Sequence, residues 1–324
     1  MDTSDFSQHR PLLFSIAYRM TGSVSDAEDI VQETFLRAAK AEDPDNLKAY
    51  LAAVTTRLAI DHLRSSRVRR ESYVGTWLPE PLLSNGSQPG SGRAGDPPFI
   101  DGTAGPEELA ETSDSLSMAF LVLLESLSPP ERAVFLLREV FGYRYPEIAE
   151  ATGKTEPACR QIFARARRRI DAGRPRFQST RAEGDELTSL FLAAARGGDM
   201  SVLFDRLAPD VLFFGDSGGL GESTFIAPVT GRDRVAEVIG FQLARTLELG
   251  ADVGATWVNG QPGLLVRDAD GGLIAVIALE VLGGQVQAIR TVANPEKLRH
   301  LGPISRTWHL KGDLGVTPQR PAAS

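Results

Sequence analysis

Apolar positions recur at helical spacing through the first 72 residues. From Phe6 to Met20 they fall at Leu12, Leu13, Ile16 and Ala17, and Gly22 breaks the run. Ser25-Asp26-Ala27-Glu28 has the form of a capping box with Ser25 as N-cap. The helix it opens places Ala27, Ile30, Val31, Thr34 and Phe35 on one side and Asp29, Gln32 and Glu33 on the other. A third helix is predicted from about Leu47 to Arg67, with Tyr50, Leu51, Val54, Leu58 and Leu63 inward and a basic end at Arg64, Arg67, Arg69 and Arg70.

The pattern returns at residues 127–170. Ser128 is a good N-cap, Pro129 and Pro130 suit the first helical positions, and Ala133, Val134, Leu136, Leu137 and Val140 form a buried face that Gly142 ends. A short helix over Pro146–Ala151, the turn Thr152-Gly153-Lys154 and a new cap at Thr155 follow. The next helix carries Arg160, Arg165, Arg167, Arg168 and Arg169 opposite Ile162, Phe163, Ala166 and Ile170. Two short helices joined at a glycine, the second basic, form a helix-turn-helix. Its second helix is expected to enter the major groove, with Thr155, Glu156 and Arg160 toward bases and Arg165, Arg167 and Arg168 toward phosphates.

From Asp185 the period changes. Leu187, Leu190, Phe191, Ala194 and Ala195 mark a helix, a short helix follows over Asp199–Leu207, and another runs over Arg232–Leu247. Strands are predicted at Val211–Phe214, Thr224–Val229, Ala251–Val258, Leu264–Val266, Leu273–Leu282 and Gln285–Val292, with turns at Asn259-Gly260, Asp270-Gly271-Gly272 and Gly283-Gly284. Helices followed by an antiparallel meander give an α+β domain. The chain therefore divides into helical domains at 1–72 and 113–172, linkers at 73–112 and 173–183, the α+β domain at 184–302 and a tail at 303–324. The long linker is rich in Gly, Ser and Pro from Asn85 to Gly105, yet its start, Trp77-Leu78-Pro79-Glu80-Pro81, is stiff and apolar. A tryptophan there needs a surface to dock on.

Composition narrows the function. The 324 residues carry a net charge of −7, which argues against indiscriminate coating of DNA; the basic residues cluster at Arg57–Arg70 and Arg160–Arg176. Cys159 is the only cysteine, so there is no disulfide framework, and it reads as a small packed residue. No leader and no bilayer-length apolar run is visible, so a cytoplasmic protein is expected. No cluster has metal-ligand spacing, and the glycines near position 218 lack the ending of a phosphate loop. Asp61-His62 has no nucleophile beside it, and Asp216, ahead of a glycine turn, reads first as a turn former. No catalytic site and no cofactor is expected.

Asp26-Ala27-Glu28-Asp29-Ile30-Val31-Gln32-Glu33-Thr34-Phe35-Leu36-Arg37 closely resembles conserved region 2 of the sigma-70 family, nearest to the extracytoplasmic-function sigma factors. Leu58 to Arg64 continues the match, and Leu127 to Ile170 resembles region 4. The resemblance implies that Asp26, Asp29, Gln32 and Glu33 dock on the β′ clamp helices of core RNA polymerase. It also implies that Asn46, in the loop from Glu42, and Arg57, Arg64, Arg67 and Arg70 hold the −10 element of promoter DNA. Tyr73 and Trp77 offer stacking for unpaired bases. The α+β domain resembles the SnoaL-like fold, a cone-shaped curved sheet with helices closing its mouth, which leaves room for a small-molecule ligand of unknown chemistry. A subgroup of these sigma factors shares the Trp-Leu-Pro-Glu-Pro stretch, an aspartate before a glycine run, matched loosely by Asp216-Ser217-Gly218-Gly219, and an Asn-Pro-Asp-Lys-Leu stretch, resembled by Asn294-Pro295-Glu296-Lys297-Leu298. Trp77, Leu78 and Pro79 are expected to lie between the first domain and the SnoaL-like domain. Asp216, Asn294, Pro295 and Leu298 belong to the receiving side of this regulatory clasp. A ligand-sensing helix-turn-helix regulator that never joins polymerase is the alternative, and an enzyme fused to a DNA-binding module is a more distant one.

Overall fold

A computed structural model describes residues 3–40, 44, 46–71, 73–84, 115–173, 181–196, 200–219 and 227–306. The chain forms two compact units. One holds Met1–Glu71 with Ser87–Pro175, and the other Ser72–Gly86 with Arg176–Ser324.

In the first unit α1 (Thr3–Thr21), α2 (Val24–Ala38) and α3 (Leu47–Glu71) precede α4 (Met118–Leu124), α5 (Pro129–Glu139), α6 (Tyr145–Thr152) and α7 (Glu156–Gly173). α1 packs on α2, α3 and α5, so its second half is enclosed on every side and buries Phe14, Ser15, Tyr18 and Arg19 along with the expected Leu13, Ile16 and Ala17. A single apolar face is therefore too narrow a description of it. α2 begins two residues earlier than expected: Ser23, not Ser25, is the N-cap, and its hydroxyl accepts from the Asp26 N–H at 3.1 Å. α5 starts as its sequence dictates, with the Glu131 carboxylate accepting from the Ser128 N–H at 3.0 Å and hydroxyl at 2.7 Å. These bonds hold the Glu131 carboxyl below the ordinary range. α6 ends at Gly153 in the left-handed region (φ 66°), where a side chain costs about 1 kcal/mol.

The second unit carries β1 (Leu83–Ser84), α8 (Arg181–Ala195), α9 (Met200–Asp205), β2 (Leu207–Asp216), β3 (Val229–Thr230), α10 (Arg232–Glu248), β4 (Asp252–Val258), β5 (Gln261–Arg267), β6 (Leu273–Leu282), β7 (Gln285–Val292), α11 (Pro295–Leu298) and a 3₁₀ turn at Arg299–Leu301. The strands form one sheet in the order β1-β4-β5-β6-β7-β2-β3. It is not a pure antiparallel meander, because β2 runs parallel to β7, with Phe213 opposite Ile289 and Asp216 opposite Val292. Hairpin spacing reveals β4 to β7 but is blind to a partner 76 residues away, as Ile289 is from Phe213. The expected strand at 224–229 is the two-residue β3, and residues 220–226 lie outside those described.

One sheet face meets α8, α9 and α10 through Leu187, Phe191, Leu203, Phe213, Val235, Leu264, Leu279 and Ile289. Alternation sends Val276, Ala278, Arg290, Val292 and Asp216 to the other face. Residues 73–84, expected to be linker, are part of this unit. β1 pairs with β4 and is itself one edge of the sheet, and Leu78 is anchored at the end of β2, so the segment crosses the intervening strands as a strap. The boundary expected at 173–183 is also narrower, since α7 runs to Gly173 and α8 begins at Arg181.

Candidate nucleic-acid interface and strap latch

The exposed face of α2 carries Asp29 and Gln32, with Glu33 half-exposed. Glu33 pairs with Arg37 at 2.8 Å. Leu36, one helical turn on, is 53% exposed and completes an acidic face with an apolar centre. Asp26 differs from the other three, because its carboxylate turns inward to His62 on α3 at 3.1 Å.

The residues expected at the −10 element have occupations of their own. Asn46 caps α3, accepting from the Ala49 N–H at 3.0 Å. Arg57 donates to the Glu150 carbonyl at 2.7 Å and the Ala151 carbonyl at 3.3 Å, closing the last turn of α6. Its guanidinium is thus engaged by the helix-turn-helix. Arg64 is exposed and loosely paired with Asp61 at 3.4 Å, while the side chains of Arg67 and Arg70 lie outside those described.

α6, Gly153 and α7 form the expected helix-turn-helix. Thr155 caps α7, its hydroxyl accepting from the Ala158 N–H at 3.4 Å, and Cys159 is fully buried between the helices. Arg160 pairs with Glu156 at 2.8 Å. Arg165 faces Glu131 at 3.6 Å, and Arg167 lies 3.7 Å from Asp171 and 3.9 Å from Glu139. All three arginines are more than half exposed and carry internal counter-charges that phosphates can replace.

Sequence reasoning missed two buried arginines, one tying α1 to Ser115 ahead of α4 and one tying α5 to α1. Arg19 donates to the Ser115 carbonyl at 3.2 Å, the Ser115 hydroxyl at 3.0 Å and the Ser15 hydroxyl, and burial brings its pKa down to about 10. Arg132 reaches the Met20 carbonyl at 2.5 Å and Glu125 at 2.8 Å. Both fall within helical patterns that read as exposed from spacing alone.

The strap is fixed by one buried cluster. Asp216 is 1% exposed. Its carboxylate accepts from the Tyr73 hydroxyl, the Leu78 N–H at 2.8 Å, the Lys297 ammonium at 2.6 Å and the Gly218 N–H at 3.1 Å. Lys297 donates also to the Leu78 carbonyl at 2.5 Å, and its ammonium lies 4.7 Å from the Tyr73 ring centroid and 4.4 Å from that of Trp77. Asn294 donates to the Tyr73 oxygen at 2.8 Å. Burial, reinforced by the Asp216 charge, pushes the Tyr73 hydroxyl far above its usual range, so it stays a donor. Tyr73 and Trp77 therefore flank a lysine, where base stacking was expected. Asp216 is more than a turn former, and Lys297 is the member of the cluster that no simple pattern singles out. Leu78 is fully buried and Pro79 is buried. Leu298 is fully buried, Pro295 half-buried. Further along, His300 meets the Pro81 carbonyl at 2.8 Å, and Asn259 brackets Leu82 with bonds of 2.9 and 2.8 Å. Gly218 (φ 66°) has no room for a side chain: a Cβ there would stand 2.6 Å from the Asn294 amide nitrogen.

Among the described residues no group of three or more His, Cys, Asp or Glu side chains has metal-site geometry, and no helix is long and apolar enough to cross a membrane.

Residues 6–69 match sigma-70 region 2 and residues 117–170 match sigma-70 region 4. The ECF RNA polymerase sigma factor SigJ of Mycobacterium tuberculosis is 35% identical over 322 residues, covering 92% of this chain and 93% of the relative. The chain is an ECF RNA polymerase sigma factor. A second relative of this sigma factor, the probable ECF RNA polymerase sigma factor SigI of M. tuberculosis, is 32% identical over 297 residues, covering 90% of this chain and 92% of its own. The crystal structure of M. tuberculosis SigJ superposes with a TM-score of 0.70 at 30% identity, covering 94% of this chain and all of that one. Sigma factors bind core RNA polymerase and promoter DNA and direct transcription initiation. The fold expected from sequence, two helical sigma regions followed by an α+β domain, is the one this sigma factor has. The alternative of a regulator that never joins polymerase is not favoured.

Proposed function

We propose that this sigma factor docks on the clamp helices of core RNA polymerase through Asp29, Gln32, Glu33 and Leu36, and reads the −35 element with α7. We further propose that its own C-terminal domain sets promoter output by gripping the strap. The observation that carries the regulatory reading is the Asp216–Lys297 pair with Tyr73, Trp77 and Leu78 around it. A solvent-excluded ion pair that satisfies backbone groups of another segment fixes register. The strap follows α3 after a single residue, so holding it holds the chain that leaves region 2 on its way to region 4. Asp26 contributes by pairing α2 to α3 and leaves polymerase contact to its three neighbours. Arg64 and Arg57 meet −10 DNA, the latter once its bonds to α6 are exchanged.

The test is transcription by reconstituted holoenzyme from one promoter, comparing the full chain with Lys297→Met and Trp77→Ala. Altered output from both folded variants, at unchanged core binding, supports the reading. Output equal to that of the parent chain removes the regulatory role and leaves the domain a passenger.

A further inference from the structure

We infer that Tyr145 is the positioning residue that holds Arg160 ready for base contact, an inference that rests on the reading of Arg160 given above. Tyr145 opens α6 and is half-buried. The Arg160 guanidinium lies over its ring, 4.8 Å from the centroid, and Arg138 of α5 lies over the same ring at 5.2 Å. The ring is itself supported. Phe163 meets it edge-on at 6.4 Å and 73°, and Phe163 stacks at 6.1 Å on Phe135, which is 2% exposed. An aromatic column thus runs from the core of the helix-turn-helix to the underside of Arg160.

The chemistry follows from the guanidinium's shape. Its N–H donors lie in one plane, so a ring face against the guanidinium carbon restrains its tilt and leaves N–H donors at the edge available. Glu156 takes one edge at 2.8 Å and sets the rotation. A free arginine loses rotamer freedom on meeting a base; one already held between a ring and a carboxylate loses less. The ring therefore favours bidentate contact, such as with a guanine edge, over the diffuse phosphate contact of an unrestrained arginine. A purely packing role for Tyr145 would change stability and leave base preference alone.

The experiment selects promoters with holoenzyme from a library randomised through the −35 element, and measures preference at each position and its salt dependence. Tyr145→Phe keeps the ring and is expected to match the parent chain. Tyr145→Leu removes the π face and is expected to cost about two- to fivefold in preference at the base pair sensitive to Arg160→Ala, with the salt slope unchanged. Tyr145→Met repeats the test with an unbranched side chain; the first position of a helix tolerates all three. In an Arg160→Ala background Tyr145→Leu should do nothing further. Full preference in a folded Tyr145→Leu or Tyr145→Met protein, or an equal loss on top of Arg160→Ala, overturns the inference. If Arg160→Ala itself leaves every preference intact, the base-contact reading fails and the inference falls with it.

Discussion

Replacing Lys297 by Met tests the latch where its energy is concentrated. Methionine keeps the length of the side chain and its contact with the Tyr73 and Trp77 rings, but removes the ammonium. The Asp216 carboxylate, 1% exposed, then keeps the Tyr73 hydroxyl and the Leu78 and Gly218 N–H groups and loses its counter-ion. Breaking one side of a buried pair costs about 3–5 kcal/mol, and three surviving donors place this site at about 3 kcal/mol. The Leu78 carbonyl loses the Lys297 ammonium as a donor in the same change. The loss is local, so the assay must be local: hydrogen exchange of the amides of Leu78 and Leu82, which are bonded to Asp216 and Asn259. Three kcal/mol speeds opening-limited exchange by about a hundredfold at Leu78, while amides in the centre of β6 keep their protection. Tyr73→Phe, which deletes one hydrogen bond to a charge, should cost about half as much. Unchanged exchange at Leu78 in a folded Lys297→Met protein would refute the assignment of the strap's stability to this ion pair.

Three further outcomes are expected. Asp29→Arg with Glu33→Arg should spare the fold, since both positions are on the outer face of α2, and should abolish core polymerase binding in a pull-down; retained binding sinks the docking surface. Arg167→Ala should weaken promoter binding on all sequences and lower the salt slope by about one, as measured by titration at several salt concentrations. Gly218→Ala should lower thermal stability by at least about 1 kcal/mol from the left-handed backbone alone, with more from displacement of Asn294; an unchanged melting curve would contradict the close approach.

How much of this was legible in the sequence depends on the range of the interaction. α5, α6 and α7 are written in local signals: Ser128 and Glu131, Pro129, Gly153 and an arginine-rich face. β4 to β7 are likewise set by adjacent turns. The parallel pairing of β2 with β7 is not, because nothing near Phe213 specifies Ile289. The strap is the sharpest case. Two prolines and a tryptophan in a polar linker signalled a docking segment, but its seat needed Asp216 and Lys297, 81 positions apart, to meet. The stretch from Asn294 to Leu298 was legible as a receiving surface, but its sequence does not say that Lys297 supplies the counter-ion of Asp216. The internal partners of Arg57 were hidden for a related reason: its acceptors, the Glu150 and Ala151 carbonyls, are backbone atoms, and sequence patterns name side chains.

Those carbonyl contacts bear on how a sigma factor can be compact and still open. Within the first unit the region 2 and region 4 helices meet through apolar residues of α1, α3 and α5, but Arg19, Arg57 and Arg132 add bonds from guanidinium groups to backbone or hydroxyl oxygens. Arg19 and Arg132 are almost wholly buried, at 2% and 3% exposed, so breaking their bonds would leave a buried guanidinium unpaired and cost several kcal/mol each. Arg57 is different. Its bond to the Glu150 carbonyl is exposed to solvent, where water or a phosphate can take the place of the carbonyl at little cost. The same N–H groups cannot serve the α6 carbonyls and promoter DNA together. Arg57 is therefore the solvent-accessible member of the three contacts, while Arg19 and Arg132 form the buried ones.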